Sequence, residues 1–178
     1  MRTRYRIIAE QGIYFITSTT VQWLPVFTSK PYFAIMIESF SFCRQHKGLQ
    51  LYAFVILDNH FHCIVSGLNL RTTIAELKRF TARRILNQLR SDRKDWLLNQ
   101  FAYYKKRHKT KSIHQVWQEG YHPQWITSED MFTEKVDYIH HNPVKRGLVT
   151  LPEHWLYSSA RNFVLGEPAV IELDRIVL

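Results

Sequence analysis

The chain has 178 residues, 46% of them hydrophobic and 14% aromatic, enough for one domain with a full core and too apolar for a disordered segment. Its 24 Lys and Arg against 15 Asp and Glu leave a formal net charge of +9, which favours a polyanion, nucleic acid before others, as partner. Only two cysteines (Cys43 and Cys63), no cleavable leader and no apolar run long enough to span a bilayer exclude a disulfide framework and a membrane span, and predict a cytoplasmic protein.

Gly12 to Thr20 is rich in β-branched and aromatic residues and reads as a first strand. Pro31 opens a helix in which Phe33, Ile37, Phe40 and Ser41 recur at helical spacing to about His46, closed by Gly48. Leu49 to Leu57 is apolar on both faces, as in a central strand, and Asp58-Asn59 turns it into a returning strand from His60 to Ser66. Ile74, Leu77, Phe80, Ile85 and Leu89 predict a second helix from Leu70, with Lys78, Arg79, Arg83 and Arg84 along its side.

Residues 91–113 break the pattern. Trp96 to Phe101 is helix-like, and Tyr103-Tyr104 leads into a basic run containing Lys105, Lys106, Arg107, Lys109 and Lys111, so a solvated basic insertion is expected. Ile113 to Trp117 is predicted as a short fourth strand. Thr127-Ser128-Glu129-Asp130 has the cap and the acidic first turn of a helix running to Asn142, where Pro143 is expected to stop it. Residues 150–178 form an expected packed C-terminal tail. The order βαββαβ plus an additional helix predicts an α+β fold in a single domain over 1–178: a ferredoxin-like, RRM-like four-stranded antiparallel sheet with helices on one face.

His60-Phe61-His62 is the most informative motif. Alternate strand residues share a face, so both imidazoles project together and can share one metal ion, while Phe61 points to the other side. Two ligands alone are a weak metal signal, because structural sites use three or four. On the helix from Glu129 to Asn142, Phe132, Val136 and Ile139 make a core stripe, and Lys135, Tyr138 and Asn142 lie together beside it at about 100° per residue. Tyr138 and Asn142 are i, i+4 neighbours and can reach one target. His140 and His141 point elsewhere and read as surface or phosphate-contacting residues.

Asp58-Asn59-His60-Phe61-His62, then Asp137 to Val149 with its Tyr138 and Asn142-Pro143-Val144-Lys145, then Trp155-Leu156-Tyr157-Ser158-Ser159-Ala160, resemble in this order the single-tyrosine HUH transposases of the IS200/IS605 type. They are most similar to the REP-associated branch. The resemblance spans about Gly12 to Phe163. It implies His60 and His62 as metal ligands and Tyr138 as nucleophile. Asn142 stands where the insertion-sequence enzymes carry a glutamine that completes the metal site; asparagine is one methylene shorter, so water can take that place. The cofactor implied is Mg²⁺ or Mn²⁺, both suited to open coordination positions. The partner implied is single-stranded or hairpin DNA.

A phosphodiester repels anionic nucleophiles, which a divalent cation would offset, and phenol is a weak acid, so Tyr138 must shed its proton as it attacks. The expected reaction is a transesterification that joins Tyr138 to a 5′-phosphate and frees a 3′-hydroxyl, with Lys135 near enough to steady phenolate or phosphate. Arg79, Arg83, Arg84, Lys105, Lys106, Arg107, Lys109, Lys111, Lys145 and Arg146 are the candidate DNA contacts. The family includes monomers and homodimers; active sites within one chain are expected here. Two rival readings stay open: a non-catalytic single-stranded nucleic-acid-binding domain, which leaves the coincidence of His60, His62 and Tyr138 unexplained, and a metal nuclease or nickase using the same histidines.

Overall fold

The computed structural model describes Ile7 and residues 12–176; the last two residues of the expected tail lie outside them. The elements run β1 (Tyr14–Thr19), α1 (Lys30–Lys47), β2 (Gln50–Ile56), β3 (His60–Ser66), α2 (Leu70–Ser91), α3 (Asp95–Tyr103), β4 (Gln124–Trp125), α4 (Glu129–Lys145) and α5 (Ala160–Leu165). The sheet order is β2-β3-β1-β4, antiparallel throughout, the arrangement expected of a ferredoxin-like βαββαβ unit.

Strand alternation divides the core in two. Ile16, Phe54, Phe61 and Cys63 face α1 and α2, where Met36, Phe40, Ile74 and Ile85 are fully enclosed. Phe15, Ala53, Val55 and Ile64 face the opposite way and meet Val136 and Ile139 of α4. Helices thus cover both faces of the sheet, and the second face is the one from which His60 and His62 project. A register shift between Leu51 and Ala53 puts a bulge in β2, which turns both Tyr52 and Ala53 towards α4.

Local signals act where they were read. Gly48 takes a left-handed conformation (φ 64°) just after α1, and its N–H closes on the Cys43 carbonyl. Ser128 Oγ accepts the Met131 N–H at 3.2 Å and caps α4.

Four expectations are corrected. The fourth strand is Gln124–Trp125, paired with Phe15 and Tyr14, not Ile113 to Trp117; Val116 and Trp117 are buried against the core, with only a bridge from Trp117 to Thr20, because apolar composition marks burial and not pairing. Segment 91–113 is not wholly solvated: Leu97 and Phe101 of α3 are buried in the core, leaving the basic run after them at the surface. Phe80, counted in the apolar stripe of α2, is exposed and lies under the guanidinium groups of Arg83 and Arg84 at 5.6 and 5.9 Å.

The fourth concerns Pro143, which does not stop α4 at Asn142 but sits inside it, the helix continuing to Lys145. Proline removes one donor, yet the next turn closes on its own: Arg146 N–H reaches Asn142 O at 3.1 Å, Leu148 N–H reaches Pro143 O at 2.9 Å, and Gly147 (φ 69°) supplies the left-handed exit.

Parts of the C-terminal segment pack on the sheet and α1. Trp155 Nε1 donates to Ile56 O at 3.0 Å, Ile56 N–H donates to Tyr157 O at 2.8 Å, and Tyr157 stacks on Phe33. Asp174 pairs with Arg44 and accepts the Leu51 N–H at 2.7 Å. The free edge of β2 is thereby covered.

Candidate active site

His60 and His62 begin β3 and project from its α4 side, ring centroids 4.8 Å apart. Thr17 is the cross-strand partner of His62, and its Oγ1 lies 2.7 Å from His62 Nδ1. Asn142 Nδ2 lies 3.3 Å from His62 Nε2. An amide N–H can only donate, so Nε2 accepts and Nδ1–H donates to Thr17. On His60, Nδ1 lies 2.6 Å from Asn59 Oδ1; that oxygen can only accept, so Nδ1–H donates and Nε2 is again the bare nitrogen. In this arrangement both imidazoles carry their proton on Nδ1; His62 Nε2 meets the Asn142 amide, and Arg146 Nη1 lies 3.4 Å from His60 Nδ1.

Burial keeps them neutral. His60 is pushed down to about 4, first by burial and then by the Arg146 guanidinium, with Asp58 opposing. His62 is pushed down to about 3 by burial and by His60. Neutral imidazole is the form that ligates metal.

Tyr138 stands edge-on to His62 with centroids 5.2 Å apart, and edge-on to Phe15 at 5.8 Å. Phe15 in turn stacks on His62 at 5.4 Å. The ring is therefore held on two sides while Tyr138 stays 41% exposed and lines an open cleft. Lys145 Nζ lies 5.6 Å from the Tyr138 ring centre and Lys135 Nζ 5.6 Å from that of Phe15. Lys135 also pairs with Glu134 at 3.0 Å. A cleft of about 400 Å³ opens between Phe15, Thr17, His62, Lys135 and Tyr138, with His122 and Gln124 on its far wall.

Arg146, one of the candidate DNA contacts, lies 3.0 Å from an Asp58 carboxylate oxygen and donates to Asn59 Oδ1 at 3.3 Å. It ties the end of α4 to the turn that carries His60, so helix and histidines meet within one chain. His140 is corrected too. It is buried, its Nε2 is 2.8 Å from Ser159 Oγ, and that hydroxyl also bonds the Phe54 backbone, which makes His140 an anchor between α4 and the tail. His141 is exposed, as expected.

The remaining basic residues lie elsewhere. Arg79 and Arg83 project from α2, and Arg84 pairs with Glu38. Lys106 and Lys109 gather with His108 around Glu119, Lys105 Nζ donates to Lys109 O at 2.9 Å, and Arg107 and Lys111 are exposed.

Thr17, Asn59, Phe15, His122 and Gln124 were not singled out by sequence reasoning. Asn59 directly precedes the motif, and Thr17 alternates with Phe15 on β1, but their relation to the histidines depends on strand register, which no local pattern records.

Among the described residues no three His, Cys, Asp or Glu side chains gather to hold a metal ion. What is present is a half-shell of two unprotonated imidazole nitrogens and one amide, whose oxygen would have to turn to the ion in place of the N–H that now meets His62 Nε2; such a set fits a cation that keeps positions open for water and phosphate. No described helix is long and apolar enough to cross a membrane.

No protein-family profile matches the chain. A Haemophilus influenzae protein provisionally named a REP-associated tyrosine transposase is 27% identical over 127 residues, covering 69% of this chain and 65% of that protein. A solved structure described as a REP-associated tyrosine transposase bound to a REP hairpin superposes with a TM-score of 0.62 at 17% identity, covering 99% of this chain and 94% of that one, and shows the fold to be shared. The resemblance read from the motifs therefore holds: in sequence and in fold this chain is similar to the REP-associated tyrosine transposases.

Proposed function

We propose that the chain is a DNA-cleaving and -joining enzyme of the tyrosine-transposase type, acting on single-stranded DNA of hairpin-forming sequence with Mg²⁺ or Mn²⁺ as cofactor. The observation that carries this reading is the placement of Tyr138 against His62 at 5.2 Å, with Asn142 at 3.3 Å from the same imidazole. Tyr138 and His62 line one open cleft, and His60 and Asn142 adjoin His62. A non-catalytic binding domain has no use for that arrangement.

In this reading His60 Nε2, His62 Nε2 and Asn142 hold the cation. When bound, it supplies Lewis-acid polarisation of a phosphoryl oxygen and orients the scissile bond. Thr17 and Asn59 orient the two rings. Tyr138 Oη attacks phosphorus, its proton passing to solvent or a base in the cleft; the new P–O bond to tyrosine replaces the P–O3′ bond, and the 3′-oxygen leaves and is protonated. One ester becomes another, so no nucleoside triphosphate is consumed, and attack by a 3′-hydroxyl on the phosphotyrosine rejoins DNA. Lys135 and Lys145, on either side of Tyr138 along α4, attract the phosphate and steady the phenolate. The cleft closes within one chain, consistent with an active site in cis.

The test is adduct formation. With Mn²⁺ and a 3′-labelled single strand, the protein should form a covalent species that survives denaturing electrophoresis, and Tyr138→Phe should abolish it while binding persists. An adduct on the phenylalanine variant would refute the assignment. Hydrolysis with no adduct on the unaltered protein would favour a metal nuclease.

A further inference from the structure

A second concavity of about 600 Å³ lies on the other side of the sheet edge, between α2 and residues 112–121. Its volume falls within the roughly 300–1,000 Å³ usual for sites that enclose a small organic group. Ala82 and Leu86, with the buried Val116 and Trp117 beneath, give it an apolar floor. Arg79, Arg83 and Arg90 line it from α2, and Lys109 faces them. The carboxylate among the lining residues, Glu119, is engaged by Lys106 at 2.7 Å, His108 at 2.6 Å and Lys109 at 3.7 Å, so the groove stays positive; Arg79 lies only 3.8 Å from Glu76, which Lys47 contacts more closely at 3.2 Å. Half-buried Tyr121 completes the lining with an aromatic face.

The wall opposite α2 is tied down. Lys78 Nζ donates to Gln118 O at 2.9 Å and to Gly120 O. Gln118 N–H donates to Thr19 O at 2.8 Å and His122 N–H to Thr17 O at 3.2 Å, so residues 117–125 run along the edge of β1 up to its pairing with Gln124 and Trp125. Tyr121 faces the groove and His122 faces the Tyr138 cleft. Consecutive residues of one fixed segment therefore line both concavities.

We propose that this groove is a binding subsite for single-stranded nucleic acid, which holds a nucleobase against Tyr121 and the apolar floor, keeps its flanking phosphates on Arg79, Arg83 and Arg90, and hands the strand across residues 121–122 to the cleft. Charge complementarity and an aromatic face beside an apolar floor are the combination that single strands use. A duplex, with its bases stacked inside, offers the floor nothing. The proposal rests on the nucleic-acid partner of the preceding reading but not on its cleavage chemistry.

The experiment measures binding without cleavage, by fluorescence anisotropy in EDTA on the Tyr138→Phe background. The probe is a fluorescein-labelled, mixed-sequence single strand of about 15 nucleotides, against the matching duplex. Tyr121→Leu should weaken single-strand binding about tenfold, Tyr121→Phe should restore it, and duplex binding should change less than twofold. Arg79→Ala combined with Arg83→Ala should lower the slope of log affinity against log salt by about 1.4, at roughly 0.7 per phosphate on a single strand. Arg161→Ala on α5 removes one positive charge away from the groove and should leave both the single-strand affinity and the salt slope unchanged.

Failure of the single strand to bind, Tyr121→Leu equal to the parent, equal losses on duplex, or an equal loss from Arg161→Ala would each overturn the proposal. Melting temperatures within a degree or two of the parent keep a folding defect from imitating a positive result. The adduct assay is separate, so a failed groove and a failed transesterase are distinguishable.

Discussion

Replacing Thr17 by valine keeps the shape of the side chain and removes only the hydroxyl that accepts the His62 Nδ1–H at 2.7 Å. His62 is 4% exposed, so water cannot readily replace that acceptor. The stranded N–H costs roughly 1–3 kcal/mol, read as a lower midpoint in urea with an unchanged slope. The second effect is on metal. Without Thr17 the ring loses the partner that orients its Nδ1 edge, and loss of such an orienting partner weakens metal binding by about 10–100-fold. Free Mn²⁺ measured by electron paramagnetic resonance during titration gives that ratio directly, and Thr17→Ser, which restores a hydroxyl, should recover most of it. His62→Ala should abolish binding at the site. A Thr17→Val protein that binds Mn²⁺ as tightly as the parent would refute the argument that this hydroxyl sets the ligand geometry.

The remaining predictions concern how α4 is held. His140 is buried and its imidazole is pushed down to about 4 by burial, with Asp137 opposing and His141 adding. An unfolded histidine titrates near 6.5, so the unfolded chain takes up the proton first; the contribution is complete above about pH 6.5 and is lost as pH falls towards about 4. Between about pH 7.5 and pH 5 this amounts to about 2 kcal/mol, and His140→Gln should flatten that part of the urea-midpoint profile; an unaltered slope would count against it. Arg146→Ala removes a pair whose side chains are about a third exposed, so stability should fall by less than about 1 kcal/mol. Adduct formation should fall more, because the end of α4 loses its tie to the His60 turn; hydrogen exchange at residues 144–148 should rise, and protection equal to the parent would remove the basis for this role.

Much of the architecture was legible locally. The β1, β2 and β3 segments announce themselves by β-branched and aromatic runs, α1 by Pro31 and Gly48, and α4 by its cap at Ser128. The failures share one cause. Val116 and Trp117 look like strand because they are apolar, but the fourth strand beside β1 is Gln124 and Trp125; hydrophobicity reports burial and leaves hydrogen-bond partners unspecified. Pro143 lies within α4 because Gly147 and the carbonyls around it rebuild the turn, a compensation a single-residue rule does not see.

By itself the sequence determined that two histidines share one strand face and that Tyr138 and Asn142 share one helix face, because the periods of strand and helix are set by backbone geometry. Which faces meet was decided only in three dimensions. Register placed Thr17 on His62, the bulge and the second core seated α4 on the β3 side, Arg146 locked the helix end to Asp58, and the edge of β1 set His122 at the cleft beside Tyr121 in the groove. Thr17 and His62 are 45 positions apart and Asp58 and Arg146 are 88 apart, and the cost in chain entropy of joining them is offset by burial of the whole core. No window of sequence contains that balance.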